Sequence, residues 1–359
     1  MRARIESFVH AALPGRVLFG AGRRAHVSSE AAQLGCERPF IVTTPELSAL
    51  ADEIAAQFAP VSVACFHEAA MHTPWNVTTR ALEAVAHAKA DCLIAVGGGS
   101  SIGLSKAIAL QTDLPQIVLP TTYAGSEVTP IIGETRDGEK RTQRTLKVLP
   151  EVVIYDADLT LGLPVALSVA SGLNAIAHAV EALYSEDVSP VMSIIAEEGI
   201  SALASALPGL CASPSAKAAR SAAQYGAWLC GTCLGSVGMG LHHKICHVLG
   251  GTFDLPHAQT HAVMIAHVAA YNADAASDAM QRIARALNAH EAWTGLHTLA
   301  LSLGAPTSLA ELGMPESGIE RAVELACRDT YANPRRPDAP FIRQMLERAW
   351  KGLPPARVH

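Results

Sequence analysis

The first 160 residues alternate short apolar runs with longer segments of helical periodicity. The apolar runs lie at residues 16–22, 39–44, 61–66, 92–96, 116–120 and 152–156. Most are rich in Val, Ile and Leu, as buried parallel strands are, and each is separated from the next by enough chain for a helix or a long loop. The pattern therefore predicts βα units that form a parallel, Rossmann-like sheet.

The pattern changes after Leu163-Pro164 to long segments rich in Ala and Leu, for example residues 193–207 and 215–229. Strand signals are nearly absent from this part, which predicts helices throughout. The sequence thus indicates an α/β N-terminal domain over residues 1–160, followed by an all-α C-terminal domain over residues 161–359.

The composition and charge favour a globular protein and disfavour nucleic acid as a partner. A chain of 359 residues with 50% hydrophobic and 17% charged residues can bury a large core. Its net charge of −6 disfavours nucleic acid as a partner, and an anionic substrate would need local positive groups. The N-terminus lacks the apolar run of a signal peptide, and no run reaches about 20 uninterrupted apolar residues, so we expect a cytoplasmic protein without a membrane partner.

Eight cysteines are scattered along the chain and resemble no disulfide framework, so we expect them to be reduced. Cys230 and Cys233 have the C-x-x-C spacing of redox and zinc sites. No second pair completes a set of four ligands, and the surrounding residues are small and apolar. Core packing is therefore our interpretation of this pair.

A glycine turn follows the clearest buried strand. Residues 92–96 lead directly into Gly97-Gly98-Gly99-Ser100, and a helix is predicted from Ile102 to Leu110. Glycines let backbone amides approach a ligand closely, and a helix N-terminus favours phosphate, so the turn is a candidate pyrophosphate cradle. A purely structural turn is the alternative, because the full G-x-G-x-x-G spacing is not met. A hydroxyl-rich loop, residues 121–127, ends the next strand, where such sheets bind ligands.

Histidines are concentrated between Gly238 and Ala262, which contain five of the fifteen in the chain. His243 and His247 are four residues apart, as are Asn174 and His178 upstream, so each pair lies on one face of a helix. We expect Gly250-Gly251 to end the second helix and His257 to follow in a turn. Such a set can grip a metal or a polar substrate between helices. A single helical histidine is more often an ordinary capped or core residue, but burial of so many imidazoles is costly unless each is paired, which favours a site for the set as a whole.

Taken together, these residues resemble the iron-containing (group III) alcohol dehydrogenases in the same order over essentially the whole chain, a fold shared with dehydroquinate synthase. Within that family, residues 121–127, 72–74 and 148–156 are most similar to the maleylacetate reductases. The resemblance implies a homodimer that reduces the carbon–carbon double bond of maleylacetate to give 3-oxoadipate, with NADH or NADPH. This step belongs to the breakdown of aromatic rings through hydroxyquinol or chlorocatechols.

The chain departs from the family at two positions. The family's metal ligands are an Asp, a His four residues later and two His fourteen apart. His178, His243 and His257 match the histidines, but Asn174 replaces the carboxylate. Three histidines can still hold zinc, yet the loss of the anionic ligand weakens binding, so we expect no requirement for a metal. Thr44 stands where many members have an Asp for the ribose hydroxyl, which implies tolerance of NADPH.

The resemblance also implies roles for individual residues. It assigns His243 and His257 to the enolate and carboxylates of the substrate, His178 and Asn174 to hydrogen bonds with it, and His247 to proton delivery. The dianionic substrate should favour cationic histidines. His242, Lys244, Arg335 and Arg336 are candidate carboxylate partners or solvated surface residues. The expected cofactor contacts are Gly97, Gly98, Gly99, Ser100, Thr121, Thr122, Tyr123, Ser126 and Thr44.

Three alternatives stay open at this point. A metal-dependent alcohol or polyol dehydrogenase and a carbon–oxygen lyase like dehydroquinate synthase share the fold, and Asn174 disfavours both. A nucleotide-binding or metal-sensing protein without catalysis is disfavoured because both the cradle and the histidine cluster are complete.

Overall fold

The structure is a computed structural model that describes residues 8–136 and 139–357. The chain divides into two compact units. Of the described residues, one unit comprises 13–163, and the other comprises 164–357 together with 8–12.

The first unit is built on a six-stranded parallel sheet in the order β1-β8-β5-β4-β2-β3. Its strands are β1 Arg16–Phe19, β2 Pro39–Val42, β3 Ala64–Phe66, β4 Cys92–Gly97, β5 Gln116–Pro120 and β8 Val152–Tyr155. Its helices are α1 Val27–Gln33, α2 Ser48–Ala55, α3 Trp75–Ala88 and α4 Gly99–Thr112. The predicted parallel sheet is confirmed, although β3 begins three residues later than its apolar run.

The strand order creates a gap at the carboxyl ends of two neighbouring strands, β2 and β4. β4 lies between β2 and β5 and pairs with both strands. In its pairing with β2, Ile94 lies opposite Ile41. From β2 the chain continues outward to β3, whereas from β4 it continues the other way to β5. The connections therefore diverge at the carboxyl ends of β2 and β4, which is where open α/β sheets bind their ligands.

A hairpin in this unit was not predicted. Strands β6, Ile131–Arg136, and β7, Glu139–Arg144, pair antiparallel with Ile131 opposite Arg144. β7 consists entirely of polar residues, Glu-Lys-Arg-Thr-Gln-Arg. It therefore has no apolar periodicity, and only pairing with β6 makes it a strand.

The second unit contains helices and no strand within its described residues, which confirms the all-α prediction. The helices are α5 Val165–Leu183, α6 Pro190–Ala212, α7 Lys217–Ser236, α8 Leu241–Phe253, α9 His257–Asn272, α10 Ser277–Ala286, α11 Ala292–Ser302, α12 Ile319–Arg328 and α13 Ala339–Trp350. The helices predicted at 193–207 and 215–229 correspond to α6 and α7. α6 extends beyond the predicted segment at both ends, whereas α7 begins two residues later than predicted and continues to Ser236.

Close packing of α6 on α7 depends on small residues. A Cβ added at Gly226 would lie 2.7 Å from Cγ of Leu203, so a larger residue would push the helices apart. Cys230 and Cys233 both lie on α7 and are buried. Burial raises the pKa of Cys233 to about 12. Both thiols are therefore core residues, as predicted.

Two helices, α5 and α6, are long and apolar enough to span a membrane by length and composition alone. α5 is mostly buried inside the helical unit. Core helices of this kind pass the same test, so the finding is weak evidence for a membrane span.

Candidate active site

Helix α5 carries three polar side chains on one face. Asn174, His178 and Glu181 lie at positions i, i+4 and i+7, and all three are buried. Almost every other buried residue of this helix is apolar or small. Buried polar groups are costly without partners, so this face must be matched by polar groups on neighbouring helices.

Helix α8 supplies His242, His243 and His247, but it does not end where the sequence suggested. The helix continues through Gly250 and Gly251 to Phe253 and ends at Asp254, whose φ is 54°. Phe253 packs closely against Gly318, where an added Cβ would lie 2.7 Å from the ring. This tertiary contact holds the last turn helical despite the two glycines.

Helix α9 supplies His257 and His261. His257 is the first residue of this helix, and Pro256 is its N-cap. The prediction that His257 lies in a turn is therefore wrong. His261 follows one helical turn later. Proline fits this position because the first residues of a helix need no amide donor.

The three helices bring six imidazoles into one cluster, comprising His178, His242, His243, His247, His257 and His261. The ring centroids of His178 and His243 are 5.2 Å apart, and those of His243 and His261 are 4.9 Å apart. His257 lies 4.4 Å from His261 and stacks on His247 at 6.2 Å. The structure thus places together all four histidines predicted at the site.

Exposure varies across this histidine cluster. His178, His242, His243 and His261 are buried, whereas His247 and His257 are exposed. The cluster therefore connects solvent to the interior of the helical unit. A proton can reach a buried group along such a set of imidazoles.

Glu181 is the buried carboxylate that contacts the histidine cluster. Its carboxylate accepts hydrogen bonds from Nδ1 of His243, from the amide of His242 at 2.9 Å and from the amide of His243 at 3.3 Å. These amides belong to the first turn of α8, where the helix dipole favours an anion. Burial raises the pKa of Glu181, but His243, His242 and the amide of His242 outweigh it, and the pKa lies below its ordinary value.

His242 and His261 form a second contact behind His243. Nε2 of His242 lies 2.9 Å from Nδ1 of His261, and Sγ of Cys246 lies 3.8 Å from Nε2 of His242. Two nitrogens on one tetrahedral zinc ion would stand about 3.3 Å apart, given zinc–nitrogen bonds of about 2.05 Å. The shorter separation is that of a hydrogen bond, so this group is a hydrogen-bonded pair beside a buried thiol.

Three of the buried imidazoles are neutral at pH 7. Burial lowers the pKa of His242 to about 3, with Glu181 acting in the opposite direction. Burial, followed by the neighbouring histidines, holds the pKa of His178 and that of His261 well below the ordinary value. The protein itself therefore does not hold these rings as cations, and an effect of the substrate dianion on them stays a prediction.

Several buried polar atoms of the cluster have no hydrogen-bond partner among the described residues. They are Asn174 Oδ1, His178 Nδ1, His242 Nδ1, His243 Nε2 and His261 Nε2. An unsatisfied buried polar atom costs about 1–3 kcal/mol. Five such atoms in one cluster indicate a site that a polar ligand completes.

The cluster lacks the carboxylate that the resemblance implies for an iron ligand, although its histidines are of a residue type that binds metals. Asn174 offers a neutral amide oxygen where the family pattern has a carboxylate. The only buried carboxylate beside the described histidines is Glu181, whose oxygens are already bound to His243 and two amides. A divalent cation would therefore be held by neutral donors alone, without compensation of its charge.

The candidate cradle lies at the carboxyl end of β4. Gly97 has a φ of 145°, and a Cβ there would collide with Oγ of Ser101. Gly98 is the N-cap of α4, and an added Cβ at Gly99 would meet no atom within 4 Å. Gly99 and Ser100 begin the helix, so their amides have no partner within it and can bind phosphate.

The hydroxyl-rich loop lies directly against this cradle. The amide of Thr121 donates to the carbonyl of Gly97 at 3.1 Å, and a Cβ at Gly98 would lie 2.7 Å from Cγ2 of Thr122. Ser126 begins a short 3-10 helix after Gly125, whose φ is 81°. The structure therefore brings the predicted contacts Thr121 and Thr122 together with Gly97 and Gly98.

Two predicted cofactor contacts have different surroundings. Tyr123 is fully buried, and its hydroxyl lies 3.3 Å from Oγ1 of Thr160. Its contact with nicotinamide stays a prediction that would require the ring to become accessible. Thr44 follows β2, at the other strand end beside the gap in the sheet, and is half-buried.

Three of the four candidate partners for substrate carboxylates, Lys244, Arg335 and His242, contact other groups of the protein. Nζ of Lys244 lies 2.5 Å from Asp329, and the guanidinium of Arg335 stacks on Phe341 with 4.8 Å to the ring centroid. His242 is bound to His261. Of the described residues, the imidazoles of His243, His247 and His257 are the better candidates for an anionic ligand.

Glu181 and His261 were missed as site residues, although the sequence contained a signal for each. Glu181 stands three residues after His178, and His261 stands four after His257, so both share a helix face with a predicted site residue. The periodicity of the sequence indicates which face of its helix each residue lies on. The residue that it contacts on another helix is visible only in the structure.

Comparisons with known proteins find close similarity over nearly the whole chain. Two family signatures match, "Iron-containing alcohol dehydrogenase" over residues 14–157 and "Fe-containing alcohol dehydrogenase family, C-terminal" over residues 168–350. The chain is 51% identical to maleylacetate reductase of Rhizobium sp. (strain MTP-10005), with 98% of this chain and 100% of the relative covered. It is also 51% identical to maleylacetate reductase of Sphingobium indicum, with 97% and 99% covered. The crystal structure of maleylacetate reductase from Agrobacterium tumefaciens superposes with a TM-score of 0.95 at 50% identity, covering 98% of this chain and 100% of that one.

Proposed function

The chain belongs to the iron-containing alcohol dehydrogenase family, and on this basis we propose that it reduces the carbon–carbon double bond of maleylacetate, with NADH or NADPH as hydride donor. The product is 3-oxoadipate. Relatives at about half identity over nearly the full length carry the name of this activity. The asparagine at position 174 supports it over the metal-dependent alcohol dehydrogenases of the same family.

One observation carries the proposal more than the others. Asn174, His178, His243 and His261 each have a buried polar atom without a partner among the described residues. These atoms belong to one cluster, which presents only amide and imidazole groups. An imidazole nitrogen that carries a proton can donate to the carboxylates or the ketone of a small dianion, whereas Oδ1 of Asn174 can only accept.

Hydride transfer places charge on the ketone oxygen of the substrate. Hydride from the dihydronicotinamide adds to the alkene carbon remote from the ketone, and the electron pair of the double bond moves to form an enolate. The developing oxyanion is stabilised by donors aimed at it. His243 is the candidate donor in its doubly protonated form, in which Nδ1 donates to Glu181 and Nε2, which has no partner among the described residues, can donate to the oxyanion.

A proton completes the reaction at the carbon next to the ketone. His247 is the candidate proton donor, because its ring is exposed and lies 6.2 Å from that of His243. His257 stacks on His247 and is exposed too, which suits a contact with a substrate carboxylate. His178 and Asn174 supply hydrogen bonds from α5.

The dinucleotide is assigned to the first unit. Its pyrophosphate is placed at the N-terminus of α4, and its adenosine ribose near Thr44 at the end of β2. Thr44 has no carboxylate to repel a 2′-phosphate, which supports use of NADPH beside NADH. The proposed molecule is a cytoplasmic homodimer.

The activity needs no metal ion under this proposal. Imidazole donors stabilise the enolate in place of a Lewis acid, and the ligand set lacks the carboxylate that would balance a divalent charge. A bound metal is therefore not part of the proposed reaction.

The direct test follows oxidation of NADH and of NADPH by the purified protein with maleylacetate, and with a panel of simple alcohols and NAD in the reverse direction. We expect oxidation of reduced cofactor with maleylacetate and little activity on alcohols. Fast oxidation of alcohols combined with no turnover of maleylacetate would overturn the proposal in favour of an alcohol dehydrogenase.

A further inference from the structure

Lys106 is a buried cation that the proposed reaction does not use. It lies on α4, seven residues after Gly99, and its side chain is fully buried. The sequence shows it as a single lysine within the apolar segment from Ile102 to Leu110. A lysine is almost never fully buried unless its charge and its three donors are satisfied.

The ammonium group is surrounded by acceptors from one loop. Nζ donates to the carbonyl of Ser126 at 2.6 Å, to the carbonyl of Thr129 at 2.7 Å, to Oγ1 of Thr129 at 3.0 Å and to the carbonyl of Ile131 at 2.9 Å. Four acceptors compete for three hydrogens. Lys106 therefore ties residues 126–131 to the middle of α4.

A buried carboxylate lies in the same loop. Glu127 is buried, and Oε1 accepts a hydrogen bond from the hydroxyl of Tyr155 at 2.8 Å. Tyr155 is on β8, so the loop is attached to the sheet as well as to α4. These two attachments determine where the loop stands relative to the sheet edge.

The attached loop is the one that contacts the glycine cradle. Thr121 donates to the carbonyl of Gly97, and Thr122 packs on Gly98, only a few residues before Ser126. Gly125, with its φ of 81°, makes the bend between the two parts. The helix that starts at the cradle thus holds the loop that borders the cradle, through Lys106.

From these contacts we propose that Lys106 is a positioning residue for the cofactor. It holds residues 121–131 in the arrangement that binds the dinucleotide, and it does so without touching the dinucleotide. This inference rests on the proposed use of NADH. Its test is therefore a binding measurement without substrate.

The test compares equilibrium binding of NADH, followed by quenching of protein fluorescence, in wild type, Thr129→Val and Thr129→Ser. The valine variant keeps the shape of Thr129 but removes one acceptor of Lys106, and the serine variant keeps the hydroxyl. The Thr129 hydroxyl also donates to the carbonyl of Ser126 at 3.0 Å, so the valine variant loses that bond within the loop as well as one acceptor of Lys106. This loss should weaken NADH binding about tenfold. The serine variant should bind like wild type. Equal binding by all three proteins would overturn the inference.

Lys106→Met tests the cation itself, with Arg220→Met as the matched control. Arg220 is another fully buried cation, it lies on α7, and it donates to Oγ of Ser168 at 2.9 Å. Both variants should lower the melting temperature, but only Lys106→Met should raise the Kd and KM for NADH, with a smaller change in kcat. If Lys106→Met does not fold, the Thr129 pair decides the matter.

Failure of the proposed function and failure of the proposed role of Lys106 would give different results. Wild-type protein that binds neither NADH nor NADPH would contradict the proposed function. Wild-type protein that binds NADH, with unchanged affinity in Thr129→Val, would contradict only the role of Lys106.

Discussion

The carboxylate of Glu181 on α5 accepts a hydrogen bond from Nδ1 of His243 on α8. The same carboxylate binds the amides of His242 and His243, so it orients the ring through two kinds of contact. Nε2 of His243 is consequently directed away from Glu181. Orientation of a histidine by a buried carboxylate is a common feature of active sites.

Glu181→Gln should therefore lower kcat while leaving the fold intact. The amide keeps the shape but removes the charge that stabilises a protonated His243, which corresponds to a loss of about 1.5–3 kcal/mol, or about ten- to a hundredfold in rate. Glu198→Gln, an exposed change on α6, is the control and should have wild-type kcat. An unchanged kcat in Glu181→Gln would show that the contact is structural only.

His243→Ala should reduce kcat about 10²–10³-fold, because it removes a donor aimed at the developing oxyanion. The Kd for NADH should change little, since the cradle belongs to the other unit of the chain. Steady-state kinetics and far-UV circular dichroism are the measurements. His290→Ala, an exposed histidine outside the cluster, should behave like wild type in both.

Asn174→Asp should create a stronger metal site. The substitution places a carboxylate one helical turn before His178, next to histidines that can already serve as ligands. Metal content after incubation with zinc or ferrous ion, followed by dialysis, should rise in this variant and stay low in wild type and in Asn174→Ala. Wild-type activity that is lost with a chelator and restored by zinc or iron would contradict the proposed metal-independent reaction.

Gly99→Ala should fold normally and bind NADH poorly. A Cβ at Gly99 meets no protein atom within 4 Å, so folding has no steric cost, but the methyl group stands at the proposed phosphate position. We expect Kd for NADH to rise at least about tenfold, equivalent to the loss of one charge-assisted hydrogen bond. Gly162→Ala, which also has open space around the added Cβ, is the matched control. Wild-type affinity in Gly99→Ala would place the cofactor elsewhere.

Stability should fall with acid partly because of His267. Burial, with His297 and Arg348 adding to it, lowers the pKa of His267 from 6.5 to about 4. Between these two pH values the unfolded chain binds a proton that the folded protein excludes. The contribution of this residue is thus present above pH 6.5 and is lost as the pH falls to about 4.

Urea unfolding at pH 7 and pH 5 measures this loss. His267→Gln cannot titrate, so its free energy of unfolding should fall by about 2 kcal/mol less than that of wild type over this interval. His290→Gln, at an exposed position, should lose as much as wild type. Equal losses in all three proteins would mean that His267 is already protonated in the folded state at pH 5.

The sequence predicted features that depend on local patterns. Apolar runs identified the six strands of the sheet, and the spacing of Asn174 and His178 placed them on one helix face. The Gly97–Gly99 turn was recognised because glycines directly before a helix let backbone amides approach a ligand closely. In each case the physical signal lies within a few residues of the chain.

Predictions failed where distant residues decide local structure. The two glycines of α8 do not end that helix, because Phe253 packs on Gly318 from another part of the chain. The polar strand β7 exists because β6 pairs with it.

What the sequence determined by itself was the family, the two kinds of architecture and the residue types available for catalysis. Only the tertiary structure showed that Glu181 binds His243, that His261 pairs with His242, and that Lys106 holds the loop beside the cradle. The reason is physical: periodicity specifies which face of an element is buried, whereas the partner of a buried polar group is chosen by packing between elements far apart in the chain.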